Sequence, residues 1–230
     1  MPAPKPWSHT ALDTFRTCPR QYQAKYVLKS VKEPETEAMR WGQQVHKHFE
    51  DRQAVAKPLP PELAAHEPYM VKLEERPGVV FTEMKCGIDN KLKPCNFFDK
   101  DVWCRIIKDF EKVDGANSLI IDYKTGKPHQ KPEQLALFAL HTFIMHPQVN
   151  LVNAQYYWTQ SASTTKKVWS RSEVPALWGY FMPNLKQYVE AYHTDIWQPR
   201  QSGLCKQWCP VLECEFNGKT NGESYGRRSR

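Results

Sequence analysis

The stretch Val102 to Lys127, VWCRIIKDFEKVDGANSLIIDYKTGK, restricts the fold of this chain more than any other. Val102–Phe110 is one apolar run, Asp114-Gly115 is a strong turn pair and Leu119–Tyr123 is a second run, the pattern of a β-hairpin. Its charges fall at strand ends. Asp109 closes the first strand, and Asp122 and Lys124 close the second, just before Thr125-Gly126. Side chains alternate along a strand, so Asp122 and Lys124 share one face and Tyr123 takes the other. If the strands pair, Asp109 lies near Asp122, and two close carboxylates repel unless a cation sits between them. Two carboxylates with a lysine beside them suit a hard divalent metal next to a phosphate.

The flanking elements follow in order. Ser8 caps a short helix carrying Leu12 and Phe15, and Thr17 caps a second with Pro19 in its first turn. Met39 to Val55 is a helix on which Gly42, Val45, His46 and Phe49 share a face, so His46 points inward. Taken alone, such a histidine is more often a satisfied core residue than a ligand; Gly42, one turn earlier, leaves space for a metal or a close backbone approach. A short helix starts at Glu62. Val79–Lys85 reads as a strand with Glu83 inside it, and Cys86 to Lys100 as an irregular connection. Pro132 opens a helix to Met145 with Gln134 and Phe138 one turn apart. Val149–Trp158 is a strand, and Val168–Arg171 pairs back with it. A helix from Ser172 to Tyr192 is interrupted at Pro183. The order gives an α/β core, a small mixed sheet flanked by helices. The divisions expected are residues 1–37, a helical segment with Cys18; 38–158, the core; 159–216, a hairpin, helix and cysteine cluster; and 217–230, a disordered basic tail.

Charge and cysteines narrow the function. Lys and Arg number 32 against 25 Asp and Glu, and the resulting +7 favours an anionic partner without naming one. No apolar run is long enough for a membrane span, and MPAPKPWSHT lacks the apolar core of a secretory signal, which points to the cytoplasm. There the seven cysteines are thiols or metal ligands rather than a disulfide framework. The compact run CKQWCPVLEC holds Cys205, Cys209 and Cys214; Cys86, Cys95 and Cys104 read as ordinary core or surface thiols.

With these residues in hand, the chain resembles the PD-(D/E)XK nuclease superfamily, in particular its RecB-like branch, which includes nuclease domains of bacterial recombination enzymes, CRISPR adaptation nucleases and bacteriophage proteins. Gly42-Gln-Gln-Val-His46 is similar to the family's helical histidine motif, and Glu83 falls on the strand where members often carry glutamate. Arg105-Ile-Ile-Lys-Asp109 resembles the strand ending in the first metal-binding aspartate, Asp122-Tyr-Lys124 the D-x-K signature, and Gln134-Leu-Ala-Leu-Phe138 the following helix motif. Cys18 upstream, with Cys205, Cys209 and Cys214 behind the core, resembles the layout of the iron–sulfur members. Three positions depart from the pattern: Ile106 replaces a common glycine, Phe138 a usual tyrosine, and the last cysteines are spaced C-x3-C-x4-C rather than C-x2-C-x5-C.

The resemblance implies a restriction-endonuclease-like core whose chain ends are joined by a cysteine metal or iron–sulfur site. It implies Mg²⁺ or Mn²⁺ held by Asp109, Asp122, His46 and the carbonyl of Tyr123, with an imidazole ligand tilting preference toward Mn²⁺. Lys124 would steady the attacking water and the phosphate charge, Glu83 would stand behind the ligands, and Gln134 would orient water or DNA backbone. The implied activity is a deoxyribonuclease, an exonuclease on DNA ends or single strands, in recombination, replication or DNA degradation, in a host cytoplasm if phage-encoded. Cys18, Cys205, Cys209 and Cys214 fit a 4Fe–4S cluster or tetrahedral zinc, with the resemblance favouring the cluster. Two other readings stay open: a nucleic-acid-binding module with a decayed site, and a cysteine-cluster protein that binds a partner protein. The implied partner is DNA, single-stranded or at duplex ends, with a recombination or replication protein as a candidate second partner.

Overall fold

The hairpin is longer than its apolar runs. In the computed structural model, which describes residues 4–32 and 34–220, β3 is Val102–Asp114 and β4 is Asn117–Lys124, joined through Gly115 and Ala116. Gly115 has φ +52°, which a residue without Cβ adopts without strain. Asp109 therefore lies inside β3 and does not end it, a correction to the reading of charges as strand termini. The strand continues because its charges are satisfied where they are buried. Lys112 Nζ donates to the carbonyls of Leu73 and Glu74, both at 3.0 Å, and Lys108 forms a fully buried ion pair with Glu111.

The sheet has six strands in the order β2-β1-β3-β4-β5-β6, where β1 is Val79–Asp89, β2 Pro94–Cys95, β5 Leu151–Trp158 and β6 Ser163–Ser170. Only β4 and β5 run parallel, and their crossover is helix α5, Glu133–Met145. The sheet is thus mixed and flanked by helices, as the element order implies. β6 begins earlier than the expected Val168, and β2 lies within the connection read as irregular.

One face carries helix α3, Glu37–Val55, capped by Thr36, whose Oγ1 accepts the Met39 N–H at 3.2 Å. Helix α4, Glu67–Glu74, follows a 3₁₀ turn. Val45, Phe49, Leu63, Met70 and Leu73 from these helices pack on Phe110, Leu119, Ile121, Tyr123 and Tyr157. Strand alternation turns Asp122 to the other face, where Gln134 of α5 meets it. Residues 135–143 of α5 are all buried, so this crossover helix is apolar nearly all round.

Residues 35–180 form one unit, and residues 1–34 with 181–230 form a second. The second includes α1 (His9–Thr17), capped by Ser8, and α2 (Pro19–Tyr22), whose N-cap is Cys18 rather than the expected Thr17. Its aromatic centre is built on Tyr22, whose hydroxyl meets those of Tyr188 at 2.7 Å and Tyr192 at 2.9 Å. Helix α6 runs unbroken from Val174 to Thr194 through Pro183, contrary to the expected interruption. Proline removes one intrahelical donor, and the buried Phe181, Leu185 and Tyr188 hold the turns around it. Asn217 is buried and its amide donates to the carbonyls of Cys209 and Val211, so the segment read as a disordered tail begins packed; residues 221–230 of that tail lie outside the described residues. Among the described residues, no helix is long and apolar enough to cross a membrane.

Candidate active site

In the antiparallel register of β1 and β3, Thr82 faces Phe110 and Met84 faces Lys108, so Glu83 and Asp109 lie opposite one another between those pairs. Glu83 has φ +45°, a left-handed conformation that costs a non-glycine residue about 1 kcal/mol or more. Alternation breaks at the same level of β3. Lys108 reaches Thr142 of α5 at 3.0 Å, yet Asp109 and Phe110 both turn to α3, one to His46 and the next into the core around Val45 and Phe49. This paired irregularity brings Glu83, Asp109 and His46 together. Among the described residues they are the only three candidate metal-binding side chains whose ligand atoms all lie within 4.8 Å of one another.

Asp109 is fixed from two sides. Its Oδ2 accepts the Tyr123 backbone N–H at 2.7 Å and sits 3.3 Å from His46 Nδ1. The Tyr123 ring is locked below by Phe49 and Tyr157, edge-on at centroid distances of 4.7 and 6.2 Å. His46 is about one-third exposed at 31% and opens to a groove of ≈ 700 Å³ with Gly42, Glu83 and Thr125. A Cβ on Gly42 would stand 3.3 Å from Thr125 Oγ1, so the glycine admits the loop after β4 to the helix face. Asp122 is buried at the end of β4, with Lys124 Nζ 2.5 Å from Oδ2 and Gln134 Nε2 donating to Oδ1 at 3.2 Å. Asp122 and Lys124 do share a face, and Lys124 also lies 5.5 Å from the Tyr156 ring centroid. Asp122 stands outside the group of three, while Glu83, read from sequence as standing behind the ligands, stands within it.

The electrostatics are those of a site short of positive charge. Burial and then the Asp109 charge push the Glu83 carboxyl up to about 7. Burial raises Asp122 as well, with Lys124 opposing and Asp109 reinforcing the shift. Burial alone would lower His46, but its bond to Asp109 and the charges of Asp109 and Asp122 raise it. Carboxyls that hold protons for lack of a cation are groups that a divalent ion would ionise. The residues therefore fit the hard metal that the resemblance implies.

A second cluster lies in the unit of residues 1–34 and 181–230. Cys18, Cys205, Cys209 and Cys214 are buried, form no disulfide, and line one small cavity with Val211 and Phe216. The Arg200 N–H points at Cys18 Sγ and the Ser202 N–H at Cys205 Sγ, each at 3.4 Å. Burial raises the thiols of Cys209 and Cys214, with neighbouring cysteines adding to the shift. No three of the sulfurs lie within 4.8 Å of one another. Zn–S bonds of 2.3 Å at tetrahedral angles would require sulfurs about 3.8 Å apart. The four thiols fit a metal centre in kind and in lining one cavity.

Residues 6–85 of the chain match the sequence model of the PD-(D/E)XK nuclease superfamily. The match takes in His46 and Glu83 and ends ahead of Asp109. No curated protein matches the chain. Among solved structures, a protein of Eubacterium rectale provisionally named an exonuclease aligns with a TM-score of 0.53 at 9% identity, covering 88% of this chain and 86% of its own. At that identity the likeness is one of fold. The protein SSO0001 aligns with a TM-score of 0.49 at 12% identity, over 94% of this chain and 89% of its own.

Proposed function

We propose that the chain, whose residues 6–85 match the sequence model of the PD-(D/E)XK nuclease superfamily, is a divalent-metal-dependent deoxyribonuclease of that superfamily, acting on DNA ends or single strands. The observation that carries this reading is the meeting of His46, Glu83 and Asp109 within 4.8 Å, beside a buried Asp122 paired to Lys124 at 2.5 Å. Asp109, His46 and Glu83 would hold Mg²⁺ or Mn²⁺, and the resemblance adds Asp122 and the Tyr123 carbonyl. When bound, the ion supplies an acidified water and polarises the phosphoryl oxygens. The chain's own groups do the rest. The Tyr123 N–H fixes the Asp109 carboxylate, Gln134 fixes that of Asp122, and Lys124 stands where it can hydrogen-bond a phosphate oxygen as negative charge grows on it.

The finer placement, in the RecB-like branch with a role in recombination, replication or DNA degradation, rests on the motif resemblance together with the cysteine arrangement. We read that arrangement as a 4Fe–4S site on the resemblance, with the four thiols that line one cavity as its candidate ligands.

Digestion of end-labelled single-stranded, duplex and circular DNA with and without Mn²⁺ tests the activity. Cleavage should depend on the metal, and Asp109→Asn and Lys124→Ala should each lower the rate at least ~10²-fold. The two groups act as one unit, so the double variant should be little worse than either single one. Mn²⁺ binding should weaken in Asp109→Asn and persist in Lys124→Ala. Metal-dependent cleavage that survives Asp109→Asn overturns the assignment; DNA binding without cleavage by the wild type would leave a binding module.

A further inference from the structure

The sheet face that carries Asp109 continues uncovered beyond the candidate site. In the β1–β3 register Lys85 stands opposite Ile107 and Gly87 opposite Arg105. Two-residue steps back along β3 from Asp109 therefore pass Ile107 and then Arg105 on one face, with Arg105 about 13 Å from Asp109. Lys85 is exposed and Ile107 is 40% exposed, so no helix covers this part of the sheet. A Cβ on Gly87 would lie 2.9 Å from the Asn96 carbonyl oxygen. The connection after β2 thus passes directly over this glycine and carries Phe97 and Phe98 to the side of Arg105.

The result is a ledge of rings and cations. Phe97 and Phe98 pack edge to face at 5.0 Å, the Arg105 guanidinium lies 5.3 and 6.0 Å from their centroids, and Lys85 Nζ lies 5.9 Å from that of Phe98. Phe98 is 74% exposed, a large ring held in water by the backbone that carries it. Neither Lys85 nor Arg105 forms an ion pair with a described carboxylate, and Arg105 Nε is buried without a hydrogen-bond partner. Asp99, in the same connection, is engaged by the Asn96 backbone at 2.8 Å and by its side chain at 3.3 Å.

We propose that Phe98, flanked by Arg105 and Lys85, is a stacking subsite for an unpaired base of single-stranded nucleic acid, holding the strand a few nucleotides from the metal-binding group. The proposal deepens the nuclease reading and rests on it. An exposed ring offers a base the π-face it stacks on in single strands, and two cations on one side suit the phosphates that follow. A base paired inside a duplex has no free face to give. A protein partner would use the ring and leave the two cations unmatched.

The test compares wild type, Phe98→Ala, Phe98→Trp and Arg105→Ala in metal-free buffer, using a fluorescent single-stranded oligodeoxynucleotide and a blunt hairpin duplex as probes. Phe98→Ala should bind the single strand about tenfold more weakly and the duplex within twofold of wild type. Phe98→Trp should restore single-strand binding, and Arg105→Ala should flatten the salt dependence on both probes. With Mn²⁺, Phe98→Ala should raise KM for single strands and leave kcat unchanged. The subsite is overturned if Phe98→Ala binds the single strand within twofold of wild type, if it loses both probes equally, or if wild type binds no single strand. The nuclease reading falls separately, if wild type with Mn²⁺ cleaves neither probe while the Phe98 effect on binding persists.

Discussion

Asp109 and His141 show how differently two polar side chains in one fold are treated. Asp109 is held by a backbone N–H and by the imidazole of His46, which itself lines an open groove. His141 is fully buried on α5 with Nε2 3.3 Å from Cys104 Sγ, and burial followed by the Lys108 charge pushes its pKa down to about 3. It is a neutral core residue, and it makes the fold acid-sensitive. Its folded value lies below the unfolded one near 6.5, so as pH falls below 6.5 the unfolded state takes up a proton that the folded state refuses. The stability is complete above pH 6.5 and is lost between there and about 3. At pH 5 this one group removes ~2 kcal/mol. Urea unfolding at pH 7 and pH 5 should show wild type losing about that much more than His141→Leu over the same interval. Equal losses in the two proteins would remove His141 as the cause.

The elements themselves were largely legible, because hydrophobic period and turn chemistry are local signals. The hairpin, the α3 face of Val45, His46 and Phe49, and the strand–helix–strand crossover through α5 follow from patterns a few residues long. What was not legible depends on partners far away in sequence. The paired irregularity at Glu83 and Asp109 needs two strands in register before it exists, so Glu83 read as a site residue behind the ligands, and its closeness to His46 and Asp109 was not visible. Lys108, Glu111 and Lys112 look like a solvated strand end until the helices that bury them are present. Glu111 accepts from Ser118 at 3.0 Å and from Thr142 at 2.5 Å besides its ion pair, and burial, outweighed by the Lys108 charge and by hydrogen bonds from His146, Lys108 and Thr142, leaves its carboxyl lowered to about 2. Such a pair joins β3 to α5 and tolerates loss of both charges far better than loss of one. Lys108→Met should destabilise by ~3–5 kcal/mol, because an uncompensated carboxylate remains in the core. Adding Glu111→Gln, which keeps an oxygen for both hydroxyls, should recover at least half of the loss in urea unfolding. A double variant no more stable than the single one would show that the pair is more than a buried charge balanced by its partner.

At the scale of the whole molecule, the cysteines join chain segments that the sequence separates most widely. Cys18 lies at the α1–α2 junction and Cys205, Cys209 and Cys214 follow α6, yet all four line one cavity. Closing so long a loop lowers the entropy of the unfolded chain, and a metal bound by four thiolates would make its binding energy part of the folding energy. Burial holds Cys209 and Cys214 as thiols, so loading the proposed centre should release protons. Protein purified without oxygen should be brown and carry about four irons per chain if the centre is the proposed cubane cluster. Cys18→Ala and Cys205→Ala should each lose the colour and the iron and expose residues 1–34 and 181–230 to protease. Cys95→Ala, in β2 and not among the residues lining the cavity, should do neither. One tightly bound zinc in colourless protein would replace the cluster by a tetrahedral site. Fresh protein with neither iron nor zinc, or Cys18→Ala with its metal intact, would leave the four cysteines as core thiols packed around Val211 and Phe216.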